Sequence, residues 1–354
     1  MTETASGWFL EAPGGPLVHR EFPVPEPGSG EVVVEVLACG LCHTDLGFAD
    51  GSVAPRHALP LVLGHEIVGT VVAAGPGAEG LAGRRVLVPA VMPCGACVFC
   101  RSGRANACPD QKMPGNDIDG GFATHVLVPG PPLVDLTDAP AGVALARLSV
   151  VADAVSTAYQ ATRRARLAAG DAAVVVGAGG VGGFLVQIAR ALGARVVACD
   201  IRRDRLESLA AHGAEALIEV GERPPQELKK EIHGLLRGWG VPSVRHRIFE
   251  CSGTTGGQAL AFALLGRAAT LVLVGFTPKS LELRFSNLMA FDASVHGSWG
   301  CPPDAYPEVL RLIYEGRVVL DLFLEAAPMS RVNQLLDDMA HHRLGRRMVL
   351  DPRS

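Results

Sequence analysis

Four cysteines close together in the chain are the first residues whose types and spacing indicate chemistry. Cys94, Cys97, Cys100 and Cys108 follow the pattern C-x2-C-x2-C-x7-C. Four thiolates in so short a segment can close a tetrahedral zinc site, which is structural because no coordination position stays open. Buried thiols, disulfides and an iron–sulfur cluster are the alternatives, although ferredoxin-type clusters have a last gap of about three residues. The spacing therefore predicts structural zinc.

A second set of possible metal ligands lies earlier in the chain. Cys42 occurs in GLCHTD at 40–45 and His65 in GHE at 64–66, each after a predicted strand. One cysteine and one histidine on such loops can bind zinc and leave a position open for a substrate. Cys42 alone could be a buried thiol, and His65 alone a core histidine. Their occurrence together with the cysteine cluster favours a catalytic metal site.

A glycine-rich segment predicts a dinucleotide site. Gly177, Gly179 and Gly182 match G-x-G-x-x-G. Such a match is weak evidence alone, but here it follows an apolar strand and begins a helix. The three glycines allow a tight turn, a close approach of the backbone to a pyrophosphate, and close packing of the helix on the strand.

Asp200 ends the next predicted strand. A carboxylate in that place accepts hydrogen bonds from the adenosine ribose and repels a 2′-phosphate, so NAD is predicted rather than NADP. A helix cap or a surface carboxylate is the alternative for Asp200. Arg202, Arg203 and Arg205 follow and could weaken the preference for NAD.

The order of elements predicts two domains. Short β-branched runs separated by Pro and Gly fill the first 150 or so residues and indicate an antiparallel, barrel-like domain. Further on, apolar strands alternate with helices, which predicts a doubly wound parallel sheet. Five strands can be placed, and a sixth has no clear position: 171–177, 194–200, 247–251, 270–275 and 294–298. The run 270–275 is a candidate edge strand that could pair across a two-fold axis.

Composition excludes several other classes of protein. The 354 residues are 48% hydrophobic and 19% charged, with a net charge of −4 and no basic run. Nucleic acid is therefore not an expected partner. No apolar stretch reaches the roughly 18 residues that span a bilayer. The first residues lack the features of a signal peptide, so we expect a cytoplasmic protein whose nine cysteines serve metals rather than disulfides.

Together these segments resemble the zinc-dependent medium-chain alcohol dehydrogenases. GGFATHV at 120–126 and FECSG at 249–253 add to the resemblance, and the matches cover both halves of the chain in the family order. The resemblance implies an α/β fold. In that fold a Rossmann doubly wound parallel sheet at 153–298 is inserted into a mainly β, barrel-like (GroES-like) catalytic domain made of 1–152 and 299–354.

The resemblance also implies the metal ligands. Cys42 and His65 match catalytic zinc ligands, and Glu66 matches the carboxylate behind the metal that can exchange onto it. The third ligand in the family is usually a cysteine, but alignment of VADAVSTAY puts Asp153 there. Because an oxygen ligand donates less electron density than sulfur, we expect a harder, more Lewis-acidic zinc that is bound less tightly. Asp153 could instead cap a helix.

Further roles follow from the same resemblance. Asp45 matches the partner that orients His65, and Thr44 matches the hydroxyl that accepts the alcohol proton. Gly47 stands where many members carry a histidine that relays the proton to solvent. Either the ribose hydroxyl and water or another histidine must then carry the proton. The implied cofactors are NAD and two zinc ions per chain, and the implied state is a homodimer or homotetramer. The implied coenzyme contacts are His43, Gly177, Gly179, Gly180, Val181, Gly182, Asp200, Arg205, Val274 and Arg347.

The residue pattern limits the substrate only to an alcohol or ketone. The opening GWFLEAPGGPL more narrowly resembles the dehydrogenases of 6-hydroxycyclohex-1-ene-1-carbonyl-CoA, which oxidise a ring hydroxyl of an alicyclic acyl-CoA in anaerobic aromatic degradation. Primary, benzylic or polyol dehydrogenases, a zinc-free reductase and an NAD(H) sensor without turnover are the alternatives. Surface arginines are common, so a solvated surface position is the favoured interpretation for each possible cation for CoA phosphates: Arg20, Arg56, His57, Lys279 and Arg284. Possible pocket residues, which could equally be core, are Leu46, Phe48, Trp299 and Tyr306.

Overall fold

A computed structural model describes residues 4–354 and divides the chain into two compact units. The first unit runs to Ser156 and also contains Gly300–Leu310 and Phe323–Ser354. The second unit consists of Thr157–Trp299 and Arg311–Leu322. None of the helices within 4–354 has the length and apolar character needed to cross a membrane.

Strands predominate in residues 4–135, and strands and helices alternate over residues 154–297. The strands are β1 (Thr4–Leu10), β2 (Val18–Pro23), β3 (Glu31–Gly40), β4 (Leu61–Val62), β5 (Glu66–Ala74), β6 (Arg85–Val88), β7 (His125–Pro129), β8 (Val134–Asp135), β9 (Ala172–Val176), β10 (Arg195–Asp200), β11 (Ala216–Glu219), β12 (His246–Glu250), β13 (Thr270–Leu273), β14 (Ser294–Gly297), β15 (Leu324–Pro328) and β16 (Arg347–Asp351). The α-helices are α1 (His43–Asp50), α2 (Val98–Arg101), α3 (Ala154–Arg164), α4 (Gly180–Ala191), α5 (Arg203–Ala210), α6 (Pro225–Gly238), α7 (Thr255–Ala263), α8 (Ser286–Phe291), α9 (Tyr306–Tyr314) and α10 (Val332–Ala340).

The first unit is built from β-sheets, as the sequence predicts. Its main sheet has the order β15-β16-β3-β5-β6-β8, and β7 also pairs with β3. A smaller sheet has the order β2-β1-β4. Val32, Val34 and Val36 of β3 pack in the core of this unit with Phe122 and Val71. Because β3 and β5 pair side by side, their ends bring the segments around Cys42 and His65 together.

The second unit contains the predicted parallel sheet. Its strand order is β11-β10-β9-β12-β13-β14, and every pair is parallel. This is the order 3-2-1-4-5-6 that is typical of dinucleotide-binding domains, with the order reversing between β9 and β12. All five residues of β9 are buried, as expected for a strand covered on both faces. The strand that the sequence could not place is β11, which is short and only half-buried.

The expectation that 270–275 forms a sheet edge is wrong. Strand β13 hydrogen-bonds to β12 on one side and to β14 on the other. The outer position is taken by β14, whose sequence SVHG is short and less apolar, as is common for edge strands.

The unit boundaries also differ from those drawn on the sequence, which assigned 299–354 to the first domain. The structure groups Arg311–Leu322 with the second unit. The Gln187 side chain of α4 accepts a hydrogen bond from Val319 N at 2.8 Å and donates one to Val319 O at 3.1 Å. These hydrogen bonds join residues far apart in the chain, so residue types alone do not show them.

Candidate metal and coenzyme sites

The buried carboxylate of Asp45 holds the loop between β3 and α1, which carries Cys42. Cys42 is the N-terminal cap residue of α1, and its backbone N–H donates to Asp45 Oδ2 at 2.9 Å. Asp45 is completely buried, and its Oδ1 accepts a hydrogen bond from Gly64 N at 3.1 Å. Thr44 Oγ1 lies 3.7 Å from Cys42 Sγ. Asp45 therefore fixes the start of α1 against the segment that carries His65.

His65 is buried between two carboxylates. Its Nδ1 lies 3.3 Å from Asp45 Oδ1, and its Nε2 lies 3.6 Å from Asp153 Oδ2. Neither ring nitrogen has an aligned hydrogen-bond partner among the described residues. A buried imidazole of this kind is expected where one nitrogen binds a metal and the other faces a carboxylate that orients the ring.

The predicted catalytic ligands lie at distances that suit zinc. Asp153 Oδ2 is 3.7 Å from Cys42 Sγ and 3.6 Å from His65 Nε2. Ligands about 2.0–2.3 Å from a tetrahedral zinc ion are separated from one another by about 3.3–3.8 Å. One possible ligand atom from each of Cys42, His65, Glu66 and Asp153 lies within 4.8 Å of the others. Thiolate, imidazole and carboxylate are also the donors that zinc prefers, so these residues fit the ion.

Glu66 forms a buried ion pair with Arg347. The Arg347 guanidinium donates to both carboxylate oxygens, with an Nε–Oε2 distance of 3.0 Å, and Ala154 N donates to Oε1 at 3.1 Å. Burial raises the pKa of Glu66 to about 7, and the charge of Arg347 opposes that effect. The sequence assigned Arg347 to the coenzyme, whereas the structure buries its guanidinium against Glu66.

The four-cysteine segment forms the second cluster of possible metal ligands. Sγ–Sγ distances are 3.5 Å for Cys97–Cys100, 3.7 Å for Cys97–Cys108 and 3.9 Å for Cys94–Cys100. Four sulfurs about 2.3 Å from zinc are about 3.8 Å apart, so this cluster also fits the ion. Hydrogen bonds from the backbone amides of Ala96 and Cys97 lower the pKa of Cys94 to about 7, which favours the thiolate.

The glycine-rich turn after β9 requires its glycines. Gly177 has φ of 93°, and a Cβ there would lie 2.5 Å from Ser252 N. A Cβ on Gly182 would lie 1.8 Å from Gly177 O. Gly180 and Val181 form the first turn of α4, so the N-terminus of that helix faces the place where a pyrophosphate is expected.

Asp200 lies at the end of β10, as predicted, and holds the same turn. Its Oδ2 accepts a hydrogen bond from Ala178 N at 2.7 Å, and its Oδ1 accepts one from Arg202 N at 2.9 Å. A Cβ on Gly179 would lie 3.9 Å from Arg205 Nη1, which places that guanidinium near the turn. Predicted coenzyme residues therefore gather at the carboxyl ends of β9 and β10.

Glu250 is a residue of this region that the sequence prediction missed. It ends β12, is completely buried, and accepts hydrogen bonds at Oε1 from Ser252 N at 2.8 Å and Gly253 N at 3.2 Å. Its backbone carbonyl accepts from Val274 N at 2.9 Å, which places Val274 directly after β13. Burial raises the pKa of Glu250. The signal in the sequence that could have identified Glu250 is a glutamate at the end of an apolar strand.

The predicted pocket residues differ in how deeply the structure buries them. Phe48 packs in the core of the first unit, and Leu46 packs against that core. Tyr306 is completely buried and donates a hydrogen bond to Ala152 O. Trp299 is 53% exposed in the second unit. His43, predicted to contact the coenzyme, is also exposed.

Two of the possible CoA-binding cations are already paired. Arg20 forms an ion pair with Glu11, and Arg56 Nη1 lies 3.5 Å from Asp117 Oδ1. The other three candidates are exposed, one in the first unit and two in the second: His57, Lys279 and Arg284.

Comparison with known proteins identifies the family. Residues 28–138 match the alcohol dehydrogenase GroES-like domain, and residues 180–315 match the zinc-binding dehydrogenase family. An alcohol dehydrogenase of Geobacillus stearothermophilus is 30% identical over 95% of this chain and 96% of its own length. One of Rhizobium meliloti (strain 1021) is 31% identical over 99% of both chains. The structure of acetophenone reductase from Geotrichum candidum NBRC 4597 in complex with NAD has a TM-score of 0.86 at 26% identity, covering 99% of this chain and 98% of that one. The chain therefore belongs to the zinc-dependent medium-chain alcohol dehydrogenase family of oxidoreductases.

Proposed function

We propose that this protein oxidises a secondary alcohol to a ketone with NAD, using a catalytic zinc ion bound by Cys42, His65 and Asp153. The observation that carries the proposal is the arrangement of these three side chains, with Asp153 Oδ2 3.6 and 3.7 Å from the other two ligand atoms. The four-cysteine cluster holds a second, structural zinc ion. The similarity to an acetophenone reductase in complex with NAD supports interconversion of a ketone and an alcohol with this coenzyme.

The residues around the ligands suit this reaction. A bound zinc ion supplies Lewis-acid polarisation of the substrate oxygen. Oxidation of the alcohol releases a hydride, which NAD accepts, and a proton. Thr44 Oγ1, 3.7 Å from Cys42 Sγ, is a hydroxyl that can take that proton and pass its own onward. Asp45 holds the imidazole of His65 in one orientation through Nδ1.

For the substrate we propose the ring hydroxyl of 6-hydroxycyclohex-1-ene-1-carbonyl-CoA, oxidised in the cytoplasm during aromatic degradation. The support is the segment GWFLEAPGGPL, together with exposed His57, Lys279 and Arg284 as possible phosphate contacts. A primary, benzylic or polyol alcohol is the second candidate. The ion pairs of Arg20 and Arg56 favour it, because paired guanidinium groups are less available to CoA phosphates.

A substrate panel tests the proposal. We would measure NADH formation by the zinc-loaded protein with the CoA ester, the corresponding free acid, benzyl alcohol, polyols and simple alcohols. Turnover of the CoA ester without turnover of the free acid is the expected result. A kcat/KM that is higher for a free alcohol than for the CoA ester would rule out the CoA ester as the substrate. Binding of NADH without turnover of any alcohol would contradict alcohol oxidation and favour a sensor.

Replacing Asp200 with asparagine should relax the coenzyme preference. The change removes the negative charge that repels a 2′-phosphate but keeps one oxygen for the Ala178 amide. Removal of a like charge at a few ångströms contributes about 1–2 kcal/mol, so the NADP-to-NAD ratio of kcat/KM should rise about tenfold. Alanine at this position should weaken both coenzymes, because the turn then loses its acceptors.

The matched control is Asp204→Asn. Asp204 is an exposed carboxylate a few residues further on that pairs with Arg202. Its replacement should leave the coenzyme ratio unchanged. An unchanged ratio in Asp200→Asn as well would remove Asp200 from the specificity determinants.

A further inference from the structure

Asp153 lies at a break between two helical segments, and hydrogen bonds from other parts of the first unit hold the backbone on both sides of it. The 3₁₀ helix Leu145–Ala152 ends immediately before Asp153, and α3 begins immediately after it. On the C-terminal side, Ala154 N donates to Glu66 Oε1 at 3.1 Å. On the N-terminal side, the Ala152 carbonyl accepts from Ala90 N at 3.2 Å and from the Tyr306 hydroxyl at 2.6 Å.

The Tyr306 hydroxyl lies at the centre of these contacts. Tyr306 is among the largest completely buried side chains of the described residues and stands at the start of α9, far from Asp153 in the sequence. Ser156 Oγ lies 3.4 Å from Tyr306 Oη and 3.2 Å from the carbonyl oxygens of both Ala152 and Asp153. At 2.6 Å, the Tyr306–Ala152 contact is at the short end of ordinary O–H···O hydrogen bonds. Tyr306 therefore contacts the peptide group that leads into the proposed ligand.

We propose that Tyr306 is a positioning residue for the catalytic zinc ion. By fixing the Ala152 carbonyl, it holds the backbone from which Asp153 presents Oδ2 to His65 Nε2 and Cys42 Sγ. An aspartate side chain is short, so a shift of its backbone moves the carboxylate by nearly the same amount. Metal–ligand distances tolerate only about 0.2 Å, so an unconstrained backbone should weaken binding. This inference rests on the ligand set proposed above.

The test is Tyr306→Phe, which removes only the hydroxyl. Loss of a residue that orients a metal ligand typically weakens metal binding by about 10–100-fold, and we expect at least a tenfold rise in the zinc dissociation constant of the catalytic site. The structural zinc ion should remain. We would count zinc ions per chain at equilibrium with a graded series of chelator concentrations and record the absorption spectrum of the cobalt-loaded protein.

Tyr314→Phe is the matched control, because it makes the same change at the other end of α9. It should leave both zinc affinities and the cobalt spectrum unchanged. Ser156→Ala is a second test variant in case Tyr306→Phe does not fold. It removes the hydroxyl that lies between Tyr306 and the Asp153 carbonyl, and should weaken the same zinc site less strongly.

Several outcomes would overturn the inference. Unchanged affinity for the catalytic zinc in both Tyr306→Phe and Ser156→Ala would remove the positioning role. Loss of both zinc ions together with a lower melting temperature would show a general structural role instead. Asp153→Ala separates this inference from the proposed function. If Asp153→Ala keeps one zinc ion while Tyr306→Phe binds two with normal affinity, only the present inference fails. If Asp153→Ala keeps two zinc ions, the ligand set itself is wrong.

Discussion

Replacing Asp153 with alanine is expected to leave one zinc ion per chain and to abolish alcohol oxidation. The variant keeps Cys42 and His65, but two protein ligands hold zinc poorly at a site that is built for three. Loss of Lewis-acid stabilisation amounts to several kcal/mol, so kcat/KM should fall by at least about a thousandfold. Metal analysis and NADH formation, measured on the same preparation, provide the two readouts.

Three further variants make this result specific. Asp153→Cys supplies the ligand that is usual in the family, and it should bind the catalytic zinc more tightly than the native protein because thiolate is the softer donor. Cys97→Ser should give the converse result, with loss of the structural zinc ion only. Asp138→Ala removes an exposed carboxylate and should change neither metal content nor activity. An Asp153→Ala protein that retains two zinc ions would show that Glu66 completes the site instead.

The features that the sequence predicts well are those set by local spacing. The glycine turn lies within one strand–turn–helix segment, and Cys94 to Cys108 lie within one short lobe. Local residue types therefore determine the geometry in both places. Strand β11 escaped prediction because four residues, of which only Ile218 is buried, give too weak a hydrophobic pattern.

The features that the sequence missed depend on residues far apart in the chain. Arg347 is 281 positions from Glu66, and Tyr306 is 154 positions from Ala152. Only the folded chain brings each pair together, and Arg347 reaches Glu66 because β16 pairs with β3 beside the loop that carries Cys42. Asp200 is an intermediate case. Its place at the end of a strand was predictable, whereas its hydrogen bond to the turn on the neighbouring strand was not.

Arg347→Met should destabilise the first unit strongly, because it leaves the Glu66 carboxylate buried without its partner. Breaking a buried ion pair from one side typically costs about 3–5 kcal/mol. Glu66→Gln should rescue much of this loss, since glutamine carries no charge but can still accept the hydrogen bond from Ala154 N. The free energy of unfolding would be measured in urea, with hydrogen exchange of the β3 and β16 amides reporting on the first unit alone.

The matched control is Arg353→Met, which breaks the exposed ion pair between Arg353 and Glu35 at 3.0 Å. Exposed pairs contribute about 0–1 kcal/mol, so this variant should be nearly as stable as the native protein.

The cost of Arg347→Met should also depend on pH. Burial raises the pKa of Glu66 to about 7, and Arg347 opposes that rise, so its removal should raise the pKa further. A carboxyl group whose pKa is raised on folding gives its full contribution to stability below its unfolded pKa and loses it as the pH rises through its folded pKa. Native and variant proteins should therefore differ little near about pH 5.5 and most near about pH 8.5. Equal destabilisation by Arg347→Met and Arg353→Met, or a loss independent of pH, would contradict a role for Arg347 in stabilising the buried Glu66 charge.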